Sequence, residues 1–399
     1  MSHGHPQFDA DLYTDAAIAD PYPIYRAIRD LGPAVWLSAH GVWAIARFSD
    51  VRAALRNDSV LVSGRGVAMN DLVNSNVSRV TLTTDGDVHR RLRSALMKPM
   101  MPSTLKEVET QIQQLADELV TQLLTRESFD GIVDFAQHLP LSVVSRLVGL
   151  PEAGRQRMLE WAAAMFNALG VMNDRGQRAL PIVYDLAAYV SGLERSHLHP
   201  DGWAARLFAA VDEGRIEPGD VVGMLIDYVA PSLDTTILGS GHLLFALGSH
   251  PDQWDLVRND PALIPRAIQE ALRLESPVRA FTRVAVEDYP VDGTVIPAGD
   301  RVLIMYAAAN RDERRYPEPD RFDVTRDAKD HLGFGHGVHR CAGSYLAELE
   351  MEALLRAMAA RVRRIEIGEP TVALNNVLRG YRAFRASFTG EPERSCRRA

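Results

Sequence analysis

A glycine-rich stretch at residues 334–343 constrains this chain of 399 residues more than any other feature. It reads Phe-Gly-His-Gly-Val-His-Arg-Cys-Ala-Gly and precedes an apolar helical pattern at 344–362. Glycine allows backbone angles and close approaches that a side chain would block. Cys341 falls beside the N-terminus of the predicted helix, where the helix dipole favours a thiolate over a thiol. A loop of this kind can present a protected sulfur to an iron atom, or main-chain N–H groups to a flat ligand.

Two other interpretations of the loop stay open from the residues alone. The first is a structural turn that buries a free cysteine. The second is a zinc site, because four side chains have a spacing typical of metal ligands: His331, His336, His339 and Cys341. Structural zinc sites usually contain paired ligands, however, and the other cysteine, Cys396, lies in the polar C-terminal tail.

The stretch resembles the heme-binding loop of the cytochrome P450 monooxygenases, Phe-Gly-x-Gly-x-His-x-Cys-x-Gly, at every fixed position. The resemblance implies the P450 fold, mainly α with a smaller β region. It places heme b between a long kinked central helix and the cysteine loop. It also implies that Cys341 is the axial thiolate ligand of the heme iron, and that Phe334, Gly335 and Gly343 belong to the heme-binding loop.

A basic pair around residue 90 is a second candidate site. His89 and Arg93 are four residues apart, so on a helix they share one face and can hold an anionic group. The planar fork of an arginine suits a carboxylate. The resemblance assigns this pair to one heme propionate, and Arg283 and His339 to the second.

A long helical pattern at 220–250 would reach about 45 Å at 1.5 Å per residue. Pro231 interrupts it, since proline lacks an N–H and collides with the carbonyl of Asp227, four residues earlier. The residues alone predict a kink or two helices end to end. Thr235 could bond the Pro231 carbonyl and hold the turn open.

The resembling family has Ala-Gly-x-Asp-Thr-Thr at this interruption, where an acid and an alcohol relay protons for oxygen activation. Asp234 and Thr235 match that pair, whereas Pro231 and Ser232 replace the Ala-Gly. The departure makes the geometry of the oxygen groove less certain than the presence of the acid and the alcohol.

A structural network is predicted from Glu270 and Arg273, which are three apart on a helix and can form an ion pair. In the resembling family a second arginine completes a Glu-Arg-Arg network that supports the heme-binding loop. Arg321, in the run at 316–322, is predicted to be that arginine.

The resemblance also predicts a substrate pocket beside the heme. Its candidate lining residues are Arg65, Val67, Met69, Leu72, Phe166, Leu169, Asp227, Pro231, Val278, Phe281, Thr282 and Leu378. Local likeness at 63–67, 166–170 and 275–278 is to bacterial members that O-demethylate para-substituted benzoates, so a small aromatic substrate is expected. Arg65 could meet a substrate carboxylate. Asp227 would repel one and could accept a hydrogen bond from a phenol or an amine.

Composition restricts the partners. The net charge of −8 argues against general nucleic-acid binding. The chain shows no signal-like N-terminus and no run of about eighteen uncharged apolar residues, so no membrane span is expected. Two cysteines in unlike contexts suggest a reducing compartment. We therefore expect a soluble, cytoplasmic protein.

Electrons must come from a partner. No Gly-x-Gly-x-x-Gly follows a strand and opens a helix, so bound FAD, FMN or NAD(P) is not expected. The resemblance implies an iron–sulfur ferredoxin served by an NAD(P)H-dependent ferredoxin reductase. Four basic side chains could steer it: Arg90, Arg91, Lys98 and Arg340.

The resemblance as a whole predicts a heme-thiolate monooxygenase that uses O2 to hydroxylate or O-demethylate a small organic substrate. The alternatives are oxidative coupling or desaturation in secondary metabolism, hydroxylation of a terpenoid-type substrate and, more remotely, a non-catalytic heme-thiolate sensor. The predicted organisation is a loose, polar lead-in at 1–20, one P450 domain at 21–390 with a long irregular loop at 61–80, and a polar tail at 391–399.

Overall fold

The computed structural model describes residues 5–76 and 80–390, so the tail at 391–399 and Cys396 lie outside the described residues. It is mainly helical with a smaller β region, which confirms the predicted fold class. The helices are α1 Asp15–Ala19, α2 Tyr22–Leu31, α3 Phe48–Ala54, α4 Asp71–Asn76, α5 Gly86–Met97, α6 Pro102–Leu123, α7 Ser145–Val148, α8 Glu152–Arg155, α9 Met158–Leu169, α10 Asp174–Ser191, α11 Trp203–Asp212, α12 Val221–Val229, α13 Asp234–Ser249, α14 Pro251–Asn259, α15 Ile264–Leu274, α16 Tyr306–Ala309 and α17 Ser344–Arg361.

The strands form small sheets around this helical body. They are β1 Gln7–Phe8, β2 Val35–Leu37, β3 Val42–Ile45, β4 Leu61–Val62, β5 Phe129–Asp130, β6 Phe281–Ala285, β7 Tyr289–Val291, β8 Thr294–Ile296, β9 Arg301–Ile304, β10 Val362–Ile367, β11 Thr371–Val372, β12 Tyr381–Ala383 and β13 Arg385–Gly390. A six-stranded sheet has the order β1-β2-β3-β9-β6-β4. Its strand β6 borders the cavity described below.

Amphipathic helices build the main core. In α6, Pro102 occupies the first turn, where its missing N–H has no partner to lose. Leu105, Ile112 and Leu119 then recur at helical spacing and are buried. This face packs against α17, the helix that follows the cysteine loop. The loop is therefore anchored on the central hydrophobic cluster.

The central helix is divided as the proline predicts, into α12 and α13 with residues 230–233 between them. Two hydroxyl groups replace main-chain bonds there. The Ser232 hydroxyl donates to the Tyr228 carbonyl. The Thr235 hydroxyl donates to the Pro231 carbonyl at 3.0 Å, which confirms that predicted bond. The segment Pro218–Ser249 is long and apolar enough for a membrane span, but it is mostly buried inside the protein, as in a core helix.

Two predictions about the N-terminal region are wrong. The described part of the lead-in at 1–20 is not loose, because β1 pairs in parallel with β2 and Ile18 of α1 is buried. The segment at 61–80, predicted as one irregular loop, contains β4 and α4. One of its asparagines is a cap: the Asn70 side chain accepts the N–H of Val73 at 2.9 Å inside the first turn of α4.

Candidate active site

A cavity of about 360 Å³ lies between the central helix and the cysteine loop. It is walled by α12, α13, α5, β6 and residues 333–343, with α9 and α10 on the far side. Every residue predicted to bind heme lines it: Cys341, His89, Arg93, Arg283, His339, Phe334, Gly335 and Gly343. The structure thus gathers side chains that are up to about 250 positions apart in the sequence.

The cysteine loop depends on its glycines. Gly335 and Gly337 have φ of +69° and +71°, a region that side chains rarely adopt. A Cβ at Gly337 would also lie 2.2 Å from the Leu55 carbonyl oxygen. The N–H of Cys341 donates to the Phe334 carbonyl at 2.8 Å, which closes the loop. Cys341 then lines the cavity, and its side chain is accessible.

The environment of Cys341 suits a thiol that loses its proton when it binds a metal ion. Burial raises the pKa of the Cys341 thiol, whereas the N–H of Gly343 and the charges of Arg93 and Arg340 act to lower it. A metal ion deprotonates a coordinating thiol, so the N–H and the two guanidinium groups would then stabilise the thiolate.

The zinc alternative finds no support among the described residues. Within 5–76 and 80–390, no three His, Cys, Asp or Glu side chains group in a way that could hold a metal ion. His331 accepts the N–H of Gly333 through Nδ1 at 2.9 Å. His336 accepts from Arg56 Nε at 2.8 Å.

Four basic side chains that line the cavity are those predicted to bind the heme propionates. We call them the clamp: His89, Arg93, Arg283 and His339. The rings of His89 and His339 lie 4.1 Å apart between centroids. Arg93 reaches the carbonyl of Arg340, and Arg283 is buried on β6. Nε2 of His339 is buried, has no hydrogen-bond partner among the described residues and lies 3.8 Å from the Asp85 carboxylate. A buried ring nitrogen without a hydrogen bond, close to the charge of Arg283, fits a carboxylate of heme, so the donor set matches that cofactor.

The Glu-Arg-Arg prediction needs one correction. Glu270 and Arg273 form a fully buried pair, with nitrogen–oxygen distances of 2.7 and 2.8 Å. The third member is Arg326, whose Nε lies 3.1 Å from the Glu270 carboxylate. The exposed side chain of Arg321 bonds Glu318 at 3.2 Å, and only its carbonyl meets Arg273.

A turn explains why Arg326, and not Arg321, meets Glu270. Glu318 adopts φ of +48°, and the chain beyond it directs the Arg321 side chain to the surface. Arg326 then returns toward Glu270 and also donates to the Pro317 carbonyl at 2.8 Å. The sequence contains both arginines, but the turn decides which of them meets Glu270.

We expect Arg326→Gln to lower the free energy of unfolding by about 2 kcal/mol, because it removes a partner of the buried Glu270 carboxylate. The matched change Arg321→Gln removes an exposed ion pair and should cost about 0.5 kcal/mol or less. Denaturant unfolding of both variants measures this difference. Equal losses in the two variants would contradict the assignment.

Asp234 and Thr235, the acid and alcohol predicted to relay protons, differ in their position relative to the cavity. Thr235 lines the cavity, at the interruption. Asp234 lies beside it but does not line the cavity, and burial raises the pKa of its carboxyl to about 7. An acid with a pKa near neutrality can both gain and lose a proton at physiological pH.

The residues predicted to line a substrate pocket divide into two groups. Eight of the predicted residues line the cavity: Val67, Leu72, Phe166, Leu169, Asp227, Pro231, Val278 and Phe281. Four do not. Thr282 is on the opposite face of β6 from Phe281 and Arg283, as strand alternation requires, and its hydroxyl donates to the Ala68 carbonyl at 3.0 Å.

The path of the chain explains why the other three predicted residues do not line the cavity. Arg65 is exposed, and its carbonyl accepts from Arg301. Met69 packs against the core cluster around β2 and β9. Leu378 is buried behind Val278, with which it forms an isolated β-bridge. The positive charge predicted for the pocket is therefore outside it.

Sequence reasoning missed one wall of the cavity. Helix α10 contributes Leu180, Val183, Tyr184 and Ala187. They stand at i, i+3, i+4 and i+7, the spacing of one helix face, so this signal was present in the sequence. Backbone and side-chain atoms of residues 80–83, just before α5, form another missed part of the lining.

Comparison with known proteins agrees with this geometry. The family model for cytochrome P450 matches residues 199–363. Cytochrome P450 CYP199A2 of Rhodopseudomonas palustris is 36% identical over 392 residues, which cover 97% of this chain and 95% of the relative. The chain belongs to the cytochrome P450 family.

Two further similarities extend along almost the whole chain. Cytochrome P450 monooxygenase PikC of Streptomyces venezuelae is 32% identical over 404 residues, covering 95% of this chain and 94% of that protein. The solved structure of CYP268A2 of Mycobacterium marinum in complex with pseudoionone is 27% identical, with a TM-score of 0.85, covering 97% of this chain and 100% of that one. Membership makes the protein a P450 monooxygenase that uses heme b and O2, and no flavin or nicotinamide cofactor is indicated on this chain.

Proposed function

We propose that this monooxygenase hydroxylates or O-demethylates a small aromatic substrate with electrons from an iron–sulfur ferredoxin. The observation that carries the proposal is the meeting of the Cys341 sulfur, the basic clamp and Thr235 around one largely apolar cavity. The apolar wall includes Phe166, Leu169 and Phe281, which suit contacts with an aromatic ring. Overall, O2, two electrons and two protons give one inserted oxygen atom and one water.

Heme b, when bound, supplies the iron at which O2 is reduced and one oxygen atom is transferred. Cys341 would hold that iron from the α17 side. His89, Arg93, Arg283 and His339 would bind the heme carboxylates and so fix the orientation of the ring. These residues position the cofactor and do not take part in the transfer of oxygen.

Asp234 and Thr235 would handle the two protons. The Thr235 hydroxyl is at the cavity wall, held by the Pro231 carbonyl. The partly exposed Asp234 carboxyl adjoins it and can exchange its proton near pH 7. The alcohol would then receive protons from the acid and orient them toward the reacting oxygen.

The proposed ferredoxin would approach the surface next to the cysteine loop. Arg340 is exposed in that loop and Lys98 is exposed directly after α5, and neither has an ion pair among the described residues. Arg90 pairs with Asp87, and Arg91 pairs with the buried Asp220 at 2.7 Å, so Arg91 contributes less free charge than predicted. Positive side chains would steer an acidic partner despite the net negative charge of the chain. A soluble, cytoplasmic location would suit such a partner.

The test is the absorption spectrum of the reduced, carbon-monoxide-bound protein. We expect the strongly red-shifted Soret band of a thiolate complex, and its loss in Cys341→Ser. Cys396→Ser is the matched control and should keep the band. Oxidation of small methoxyarenes under labelled O2 should then place one labelled atom in the product or in the released formaldehyde. A Soret band typical of a histidine complex in folded protein would contradict the proposal.

A further inference from the structure

One acidic side chain faces the cavity from the central helix. Asp227, in the last turn of α12, is half-buried because part of it borders this space. Its Oδ2 accepts the main-chain N–H of Thr81 at 2.6 Å. Thr81 begins the 3₁₀ turn Thr81–Thr83, which lines the same cavity. A loop amide therefore holds the carboxylate at the wall of the pocket.

The surroundings of Asp227 leave its charge in place at neutral pH. Burial raises the pKa of this carboxyl to about 6, and the N–H groups of Thr81 and Leu82 and the charge of Arg93 act in the opposite direction. Arg93 itself is directed to the Arg340 carbonyl and toward Cys341, in the clamp. Its charge would be matched by a heme carboxylate, so it would not neutralise a second anion near Asp227.

No described cation of the pocket would compensate a substrate carboxylate. The charged or basic residues that line the cavity, within the described part of the chain, are Asp227 and the clamp residues His89, Arg93, Arg283 and His339. Arg65, predicted to meet such a carboxylate, is exposed and does not line the cavity. The rest of the cavity lining is mainly apolar and includes Ile226.

We propose that Asp227 is a specificity-determining residue, which makes this pocket reject carboxylate-bearing substrates and accept uncharged ones, including those with a hydroxyl donor. The inference rests on the proposed heme-thiolate function and names the substrate class for the same site. A like charge placed in a poorly solvated pocket is repelled more strongly than in water. A phenol or alcohol that enters the cavity could donate a hydrogen bond to this carboxylate.

The experiment compares two ligands of similar shape and different charge. Both contain an imidazole that binds ferric heme iron directly, so binding is visible as a Soret shift whatever the natural substrate is. The probes are 4-(imidazol-1-yl)benzoate, which is anionic, and 4-(imidazol-1-yl)acetophenone, which is neutral. Dissociation constants are measured by titration of the purified, heme-loaded protein at pH 7.5.

Asp227→Asn is the informative variant, because the amide keeps the shape and an acceptor oxygen for the Thr81 N–H. Asp71→Asn is the matched control, since Asp71 is exposed and does not line the cavity. If Asp227→Asn is not recovered folded, Asp227→Ser takes its place. The reduced carbon-monoxide spectrum of each protein reports the thiolate ligand independently of the titrations.

We expect the wild-type protein to bind the neutral probe at least tenfold more tightly than the anion. Asp227→Asn should reduce that ratio about tenfold, and Asp71→Asn should leave it unchanged. An unchanged ratio in Asp227→Asn, equal binding of the two probes by the wild type, or binding of neither would overturn the inference. If those results come with the thiolate spectrum, only the substrate class fails; without that spectrum, the proposed function fails as well.

Discussion

Replacement of Asp234 by Asn should lower the turnover of substrate about a hundredfold or more, because it removes the proposed acid for a reaction that consumes two protons. Asparagine keeps the shape of the side chain, so heme binding and the carbon-monoxide spectrum should remain. The burial that raises the pKa of Asp234 to about 7 sets the pH dependence. The protonated form, which can donate, prevails below pH 7 and is lost above it.

The wild-type rate at saturating substrate should therefore fall as the pH rises through 7 and toward 9. In Asp234→Asn this fall should disappear, because the titrating acid is gone. Asp174→Asn, at the exposed N-terminus of α10, is a matched control and should retain the wild-type rate and pH profile. A variant with normal turnover, or one that keeps the same fall above pH 7, would exclude Asp234 as the proton donor. The measurement is steady-state turnover with a saturating electron-transfer partner.

A second large effect is expected from a carboxyl that the proposed reaction does not use. Glu350 of α17 is fully buried, and neither of its oxygens has a hydrogen-bond partner among the described residues. Burial alone raises the pKa of this carboxyl to about 8 from an ordinary value of 4.5. The folded protein therefore carries this side chain protonated at neutral pH, whereas the unfolded chain ionises it.

The sign of the effect follows from that difference. Between pH 4.5 and 8 the folded state binds one proton more than the unfolded state, so stability falls as the pH rises, by about 1.4 kcal/mol per unit from this group. Below pH 4.5 and above pH 8 the group contributes no slope. Glu350→Gln cannot ionise and should be more stable than the wild type by an amount that grows by about 4 kcal/mol from pH 5 to pH 8.

Denaturant unfolding of the heme-loaded protein at several pH values checks this prediction. Glu352→Gln is the control on the same helix; it breaks only the ion pair with Arg356, which has a distance of 3.3 Å, and should change stability by about 0.5 kcal/mol or less. A constant difference between Glu350→Gln and the wild type across this pH range would show that Glu350 does not stay protonated in the fold.

Local motifs determined how much could be predicted. The spacing of His89 and Arg93 indicated that they share one helix face, and the resemblance of the short cysteine loop to a known family indicated what both would bind. The interruption of the central helix and the Thr235 bond follow from proline chemistry, and both are present. These features depend on neighbours within about four residues along the chain.

Features that depend on the path of a loop were predicted less well. Arg321 and Arg326 could not be ranked without the turn at Glu318. Arg65 and Met69 lie outside the pocket because Arg65 is exposed and Met69 packs against the core cluster around β2 and β9. Thr282 is a different kind of error, since strand alternation with Phe281 would have placed it on the opposite face.

Thr81 joins two parts of the site through its own main chain. Its N–H is bound by Asp227 and its carbonyl is 3.0 Å from Nδ1 of His89, so one residue contacts both the substrate wall and the clamp for the cofactor edge. In thermodynamic terms the two binding events are linked: a ligand that shifts Thr81 changes the free energy of holding heme. By reciprocity, heme then changes the affinity for that ligand by the same factor. We therefore expect substrate binding and cofactor retention in this protein to be coupled.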